Sequence, residues 1–174
     1  MPRPVRLTPR DAPAYRALML QAYAQHPEAF TSSVGERAAL PLTWWEQRLS
    51  DAPDVADVVF GVYHGDQLVA AAGLSFDARE KARHKATLFG MYVTPQARQH
   101  GLGAVLVQQV LACARSRAGV QLVQLTVTEG NHTAQALYER HGFVTFGLEP
   151  MAVVVGEGFV AKIHMWCALD VHCD

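Results

Sequence analysis

Apolar residues recur along the chain at two periods, one typical of helices and the other of strands. Within residues 11–25, apolar side chains recur every three or four positions, which predicts a helix. Residues 26–33 lack such a repeat and are expected to form a loop. Thr43 and Glu46 have the spacing of a capping box, which predicts a short helix over residues 44–49.

Short apolar runs predict the strands, and two further amphipathic segments predict helices over residues 101–119 and 131–142. The run at residues 86–93 is mostly apolar, so this strand is expected in the centre of its sheet. The order of strands and helices predicts an α/β fold with a mixed sheet and helices on both faces. The predicted strands cover residues 4–7, 55–63, 68–76, 86–93, 120–127, 143–147, 151–155 and 159–169.

A turn with two glycines lies between the predicted central strand and the next helix, in the segment RQHGLGAVL. The start of a helix offers unpaired N–H groups and the positive end of the helix dipole. Gly101 and Gly103 let the backbone approach an anion, and Arg98 adds a permanent positive charge. This pattern indicates a phosphate or pyrophosphate site, although a tight turn without a ligand would use the same glycines. Leu106 stands where a dinucleotide fingerprint needs its third glycine.

Two motifs in order make the chain resemble the GCN5-related N-acetyltransferases (GNAT). Arg98, Gly101 and Gly103 match the family's acetyl-CoA signature R/Q-x-x-G-x-G/A, and residues 131–143 match its segment N-x-x-A-x-x-L-Y-E-x-x-G-F. The resemblance implies a GNAT fold of class α/β (α+β), whose mixed, mostly antiparallel central sheet of about seven strands is flanked by helices on both faces.

The resemblance also implies a division of the chain, as a single domain over residues 1–174. Residues 55–170 match closely and would form the core that binds acetyl-CoA. Residues 1–50 match loosely and would form the family's variable helical region, which contacts the acceptor substrate.

Acetyl-CoA is the co-substrate that the resemblance implies. Its pyrophosphate would lie on the N–H groups of the glycine turn, and its pantetheine arm beside the backbone of the central strand, which is expected to splay from the next strand. Asn131 would contact the cofactor, although its role as the N-cap of a helix is complete without one. The residues implied in cofactor binding are Met91, Tyr92, Val93, Arg98, Gln99, His100, Gly101, Leu102, Gly103, Ala104, Asn131, Ala134 and Tyr138.

Tyr138 is the implied general acid, which would protonate the departing thiolate during direct acetyl transfer in a ternary complex. A phenol with a pKa near 10 stays protonated at neutral pH; the alternative is a tyrosine that only packs in the core. Glu129 is the first candidate for the general base. The other candidates are His84, His164, Glu28, Glu36 and a chain of water molecules.

The acceptor is predicted to be a primary amine of a small molecule. Phe30, Ser32, Ser33 and Trp44 lie in the variable region and are expected to contact it, since aromatic rings suit an amine's stem or its charge. The alternative for Trp44 and Trp45 is packing of their short helix onto the sheet. Two other functions stay open: acetylation of a protein or peptide N-terminus, and a non-catalytic module that binds acyl-CoA.

Composition and charge limit the classes of binding partner and the cellular location that we expect. A net charge of −1 gives no support for nucleic acid as a partner, and no apolar run is long enough to span a membrane. The start of the chain lacks the apolar region of a signal peptide, and Cys113, Cys167 and Cys173 do not pair by spacing, so a cytoplasmic location is expected. The histidines lack metal-ligand spacing, so no metal is predicted. A homodimer is compatible with late strands that pair across subunits.

Overall fold

The computed structural model describes residues 2–170, which form one seven-stranded sheet with five α-helices around it. The helices are α1 (Ala12–Gln25), α2 (Val34–Ala38), α3 (Leu42–Arg48), α4 (Leu102–Ser116) and α5 (His132–Arg140). The strands are β1 (Val5–Arg6), β2 (Asp57–His64), β3 (Gln67–Phe76), β4 (Lys85–Val93), β5 (Leu122–Thr128), β6 (Val144–Val155) and β7 (Gly158–Ala168). The position of Cys173 lies outside the described residues.

The strand order is β1-β2-β3-β4-β5-β7-β6, which places β4 at the centre as its apolar sequence predicts. All neighbouring strands are antiparallel except the parallel pair β4 and β5. Each face of the sheet has its own apolar core. One core contains α4 and residues such as Leu106 and Phe143, and the other contains α1 and α3 with residues such as Leu18 and Trp45.

Strands β4 and β5 separate after a short paired segment. Their pairing ends at Thr87 and Gln124, although both strands continue. Further along β4, the pairing with β3 shifts by one residue, and Gly90 has a φ of +61°. A bulge of this kind bends its strand, so β4 turns away from β5. The expected splay is therefore present, and it leaves a fork near the middle of the sheet.

The first helical region differs from the sequence prediction in two places. The loop expected over residues 26–33 leads into a helix that was not predicted, α2. Ser33 and Glu36 form its capping box, with the Ser33 hydroxyl accepting the Glu36 N–H at 3.1 Å. The capping box predicted for Thr43 is wrong, because α3 begins at Leu42 after Pro41 and Thr43 lies within its first turn.

The ends of two later elements also differ from prediction. Helix α4 ends at Ser116 rather than at Gly119. The two strands predicted over residues 143–147 and 151–155 are one strand, β6, because a bulge between Glu149 and Val153 lets the pairing with β7 resume. Within residues 2–170, no helix combines the length and apolar character needed to cross a membrane.

Candidate active site

The fork between β4 and β5 opens into a cavity of about 360 Å³. Its walls come from the splayed strands, from α5, from α1 and from the segment that joins α1 to α3. Six of the residues predicted for the site line it: Phe30, Ser32, Met91, Asn131, Ala134 and Tyr138. The structure therefore brings the predicted cofactor and acceptor regions together at one place.

Tyr138 lies on the face of α5 that packs on the sheet, with 5% of its surface exposed. Its ring meets Phe143 edge to face, with 5.8 Å between ring centroids. No hydrogen bond among the described residues involves its hydroxyl group, yet the residue lines the cavity. Burial raises the pKa of Tyr138 above its ordinary value, so the hydroxyl remains protonated and available as a donor.

The N-terminus of α5 is fixed by Asn131. Its side-chain oxygen accepts the Ala134 N–H at 3.2 Å, so Asn131 is the predicted N-cap. Gly142, with a φ of +92°, follows the other end of the helix as predicted. These two local signals set the length of α5 and place Tyr138 two turns from Asn131 at the cavity.

The turn before α4 presents backbone rather than side chains. Gln99 and Gly101 both have positive φ angles, of 65° and 74°, and Gly101 is the N-cap of α4. A Cβ atom on Gly101 would meet nothing within 4 Å, so the space beside this glycine at the N-terminus of α4 is open to solvent or to a ligand. A Cβ atom on Gly103 would lie 3.0 Å from Leu137, so this glycine allows α4 to pack closely on α5. Leu102 is buried, which leaves only its backbone for a ligand.

A substitution of Gly101 by alanine is expected to weaken the binding of acetyl-CoA and to lower the free energy of unfolding by about 1 kcal/mol. The reason is that the left-handed backbone conformation at this position is strained for alanine. Isothermal titration with acetyl-CoA and urea denaturation measure the two effects. Gly65→Ala is the matched control, since Gly65 has a φ of +58° and open space but lies in the β2–β3 turn. Equal losses of binding in both variants would contradict a ligand site at α4.

Arg98 is engaged with the protein itself. Its Nε donates to the Val93 carbonyl oxygen at 3.1 Å, and its Nη2 lies 3.0 Å from His26 Nε2. The guanidinium group therefore ties the glycine turn to the end of β4 and to the end of α1. Its charge still lies beside the N-terminus of α4, where an anion is expected.

Twelve of the predicted site residues lie outside the cavity lining. Eight of them are at the end of β4, in the glycine turn or in the first turn of α4: Val93, Arg98, Gln99, His100, Gly101, Leu102, Gly103 and Ala104. The other four are Glu129, Ser33, Tyr92 and Trp44. Glu129 is exposed just after β5, and its backbone N–H donates to Ala161 at 3.0 Å. Ser33 is occupied as the cap of α2. Tyr92 points to the α1 side, where its hydroxyl donates to Gln25 at 2.8 Å. Trp44 is half-buried behind the cavity wall.

The sequence prediction missed the basic residues of the cavity. Arg37 and Arg48 line it, and Lys162 reaches it from β7, where its Nζ donates to Thr31 Oγ1 at 3.0 Å. Tyr15 and Arg48 both line the cavity. Burial raises the pKa of Tyr15 to about 12, and the positive charge of Arg48 opposes this rise. Arginines in two short helices carry no motif, so only the fold shows where they meet.

Metal-binding groups do not gather in this part of the molecule. Within residues 2–170, no three His, Cys, Asp or Glu side chains lie close enough to hold an ion. The prediction that the protein needs no metal stays a prediction.

Comparison with known proteins gives the family. Residues 18–143 match the model of the acetyltransferase (GNAT) family. The chain belongs to this family. The GNAT domain is 33% identical over 135 residues to mycothiol acetyltransferase of Salinispora tropica, a match that covers 76% of this chain and 41% of that protein. The chain thus spans less than half the length of this curated relative.

Solved structures agree with the GNAT fold. A GNAT-family acetyltransferase of Streptococcus pneumoniae superposes with a TM-score of 0.86 at 23% identity, over 96% of this chain and 98% of that one. The protein yncA of Salmonella typhimurium, solved with its cofactor acetyl-CoA, superposes with a TM-score of 0.80 at 18% identity, over 100% of this chain and 97% of that one. The predicted family and the predicted sheet of about seven strands are confirmed.

Proposed function

We propose that this GNAT domain transfers the acetyl group of acetyl-CoA to the primary amine of a small molecule. The observation that carries the proposal is the cavity at the fork of β4 and β5, which Tyr138 lines with an unpaired hydroxyl group. A cavity of about 360 Å³ is in the range of small-molecule sites. In this proposal residues 1–50 supply acceptor contacts and residues 55–170 bind acetyl-CoA.

The residues at the fork fit acetyl-CoA as a substrate. Open backbone N–H groups from Gln99 to Ala104 at the start of α4 would hold the phosphates. The part of β4 beyond Thr87 has no strand on its β5 side, so the backbone near Met91 is free to pair with the amides of the pantetheine arm. Asn131 and Ala134 border the same space.

The proposed reaction is a direct attack of the neutral amine on the thioester carbonyl carbon. A C–N bond forms, the C–S bond breaks, the nitrogen loses one proton and the sulfur gains one. Tyr138 donates a hydrogen bond or its proton to the departing sulfur, which needs a hydroxyl group that is protonated at neutral pH. A backbone N–H of Met91 or Val93 would polarise the carbonyl oxygen.

We propose Glu129 as the base, acting through intervening water. Its side chain is exposed and lies outside the cavity lining, two residues before Asn131. Proton transfer through one water molecule is compatible with general-base catalysis.

The test is thiol release from acetyl-CoA across amino acids, polyamines, aminoglycosides and short peptides. Release that depends on one class of small amine supports the proposal. Release with peptides alone would assign acetylation of protein or peptide N-termini instead. Binding of acetyl-CoA by calorimetry without release from any amine would favour the non-catalytic module.

We also propose a homodimer through the exposed apolar side chains of the β6–β7 hairpin. Strand β6 is a sheet edge, and Phe146, Leu148 and Val154 on it are each more than half exposed. A second copy of the chain suits this edge, because β6 of one subunit and β6 of the other can pair in antiparallel fashion and form a closed dimer with twofold symmetry. We expect L148E to be a monomer by sedimentation equilibrium at concentrations where the wild type is a dimer; a monomeric wild type would contradict the proposal.

A cytoplasmic location is part of the proposal. Cys113 and Cys167 are both free in the structure. Free thiols are typical of a reducing compartment.

A further inference from the structure

The cavity at the fork has an uneven distribution of charge. Arg37, Arg48 and Lys162 line it, and among the described lining residues there is no aspartate or glutamate. Cationic side chains in a confined space repel one another, and this repulsion costs free energy unless an anion offsets it. The cavity therefore favours a ligand with negative charge.

No carboxylate of the described residues forms an ion pair with either arginine. The ion pairs among residues 2–170 join His26 to Glu28, Arg79 to Asp77 and His164 to Glu149, and none of them involves Arg37 or Arg48. Both arginine side chains are nevertheless half-buried. A half-buried guanidinium group without a carboxylate keeps its capacity to bind one.

Aromatic rings hold these arginines in place instead. The guanidinium carbon of Arg37 lies 4.5 Å from the centroid of the Trp44 ring, and that of Arg48 lies 5.3 Å from the same ring. The Arg48 guanidinium carbon also lies 4.4 Å from the ring centroid of Phe89, a residue of the cavity wall. Stacking fixes the direction of a guanidinium group and leaves its N–H donors free.

Lys162 adds a third positive charge at the cavity. Its Nζ donates to Thr31 Oγ1. Its cross-strand neighbour on β6 is Glu149, whose Oε2 lies 2.8 Å from His164 Nε2. Burial lowers the pKa of Lys162, with the charge of Glu149 opposing the change. An anion bound nearby would restore the preference of this amine for its charged form.

The phosphates of acetyl-CoA do not account for these cations. The phosphate site proposed above lies on backbone from Gln99 to Ala104, and none of these residues lines the cavity. Arg37 belongs to α2 and Arg48 to α3, in the region proposed for the acceptor. The charges are therefore placed to recognise the acceptor.

We propose that the acceptor is an amino acid or a similar small amine with a carboxylate, and that Arg37 and Arg48 bind its carboxylate. The proposal rests on the acetyltransferase function above and names its substrate class. Polyamines and aminoglycosides are disfavoured, because their positive charges would meet three others in the cavity.

The test compares each of the twenty L-amino acids with its C-terminal amide, which removes the negative charge and keeps the amine. Spermidine serves as an amine without an anion. We expect at least one amino acid to have a kcat/KM about 30-fold or more above that of its amide, the size expected when a buried charge pair loses one partner.

Arg37→Met and Arg48→Met are the variants, and Arg10→Met is the matched control, because Arg10 is exposed and outside the cavity. We expect the first two to raise the KM for the amino acid about 30-fold and to leave the KM for the amide no higher than in the wild type, while the KM for acetyl-CoA stays near its wild-type value. The control should behave as the wild type does. Equal rates with acid and amide, or faster rates with spermidine, would overturn the proposal and leave the acetyltransferase function intact.

Direct binding separates this proposal from the function on which it rests. If no amine supports thiol release, calorimetric titration with the same amino acids tests whether the cavity recognises a carboxylate in the absence of turnover. Binding that Arg37→Met abolishes would support carboxylate recognition while the proposed activity fails. Absence of binding by every amino acid would overturn both.

Discussion

Replacement of Tyr138 by phenylalanine is expected to lower kcat about 100-fold or more while the KM for acetyl-CoA stays near its wild-type value. The substitution removes one hydroxyl group, and the ring keeps its edge-to-face contact with Phe143. No hydrogen bond among the described residues involves this hydroxyl, so its removal leaves no buried partner unpaired. A fall in kcat alone therefore identifies a group that acts in the transition state.

The measurement is thiol release at saturating acetyl-CoA, with the folded state checked by urea denaturation. Tyr63→Phe is the matched control, because the Tyr63 hydroxyl donates to Asp11 at 2.5 Å in another part of the molecule. We expect the control to retain the wild-type kcat. If Tyr138→Phe also retains it, the proton for the sulfur comes from another group.

Replacement of Trp45 by alanine is expected to reduce the free energy of unfolding by about 3–5 kcal/mol, the usual loss for a large buried aromatic side chain. Trp45 is 1% exposed and meets Tyr15 edge to face at 5.8 Å between ring centroids. It is the buried residue of α3, and it packs in the core that α1 forms with one face of the sheet. Loss of this packing would also release Arg48, which is on the same helix.

Trp44→Ala is the control for this prediction, since the neighbouring indole is only half-buried. We expect Trp44→Ala to reduce the free energy of unfolding, measured by urea denaturation, much less than Trp45→Ala does. The indole N–H of Trp45 has no hydrogen-bond partner in the described part of the chain. A milder substitution, Trp45→Phe, removes this unpaired donor together with one ring and should cost less than alanine. Equal losses from Trp44→Ala and Trp45→Ala would contradict the packing seen here.

The sequence predicts the ends of the helices beside the proposed cofactor site well, because the signals for these ends are local. The cap at Asn131 and the glycines at 101 and 142 each act within a few residues of their own position. Their order along the chain is enough to place a helix N-terminus beside a central strand. The packing role of one tryptophan was likewise expected, and Trp45 fills it.

The basic residues of the proposed acceptor site could not be predicted in the same way. Arg37, Arg48 and Lys162 come from three separate elements, and only the packing of α1, α2 and α3 over the fork brings them together. The capping box of α2 was readable at Ser33 and Glu36. It was missed because a five-residue helix shows too little apolar periodicity to distinguish it from a loop.

The position of Trp44 makes the domain suitable for optical measurements. Its indole ring stacks with two guanidinium groups that line the cavity, whereas Trp45 is enclosed in the apolar core. Indole emission responds to charges beside the ring, so an anion that binds the two guanidinium groups beside Trp44 would change its fluorescence. A variant with Trp45 and Trp166 replaced by phenylalanine would report occupation of the cavity without turnover. Ligands could then be ranked by titration in a fluorimeter before any reaction is found.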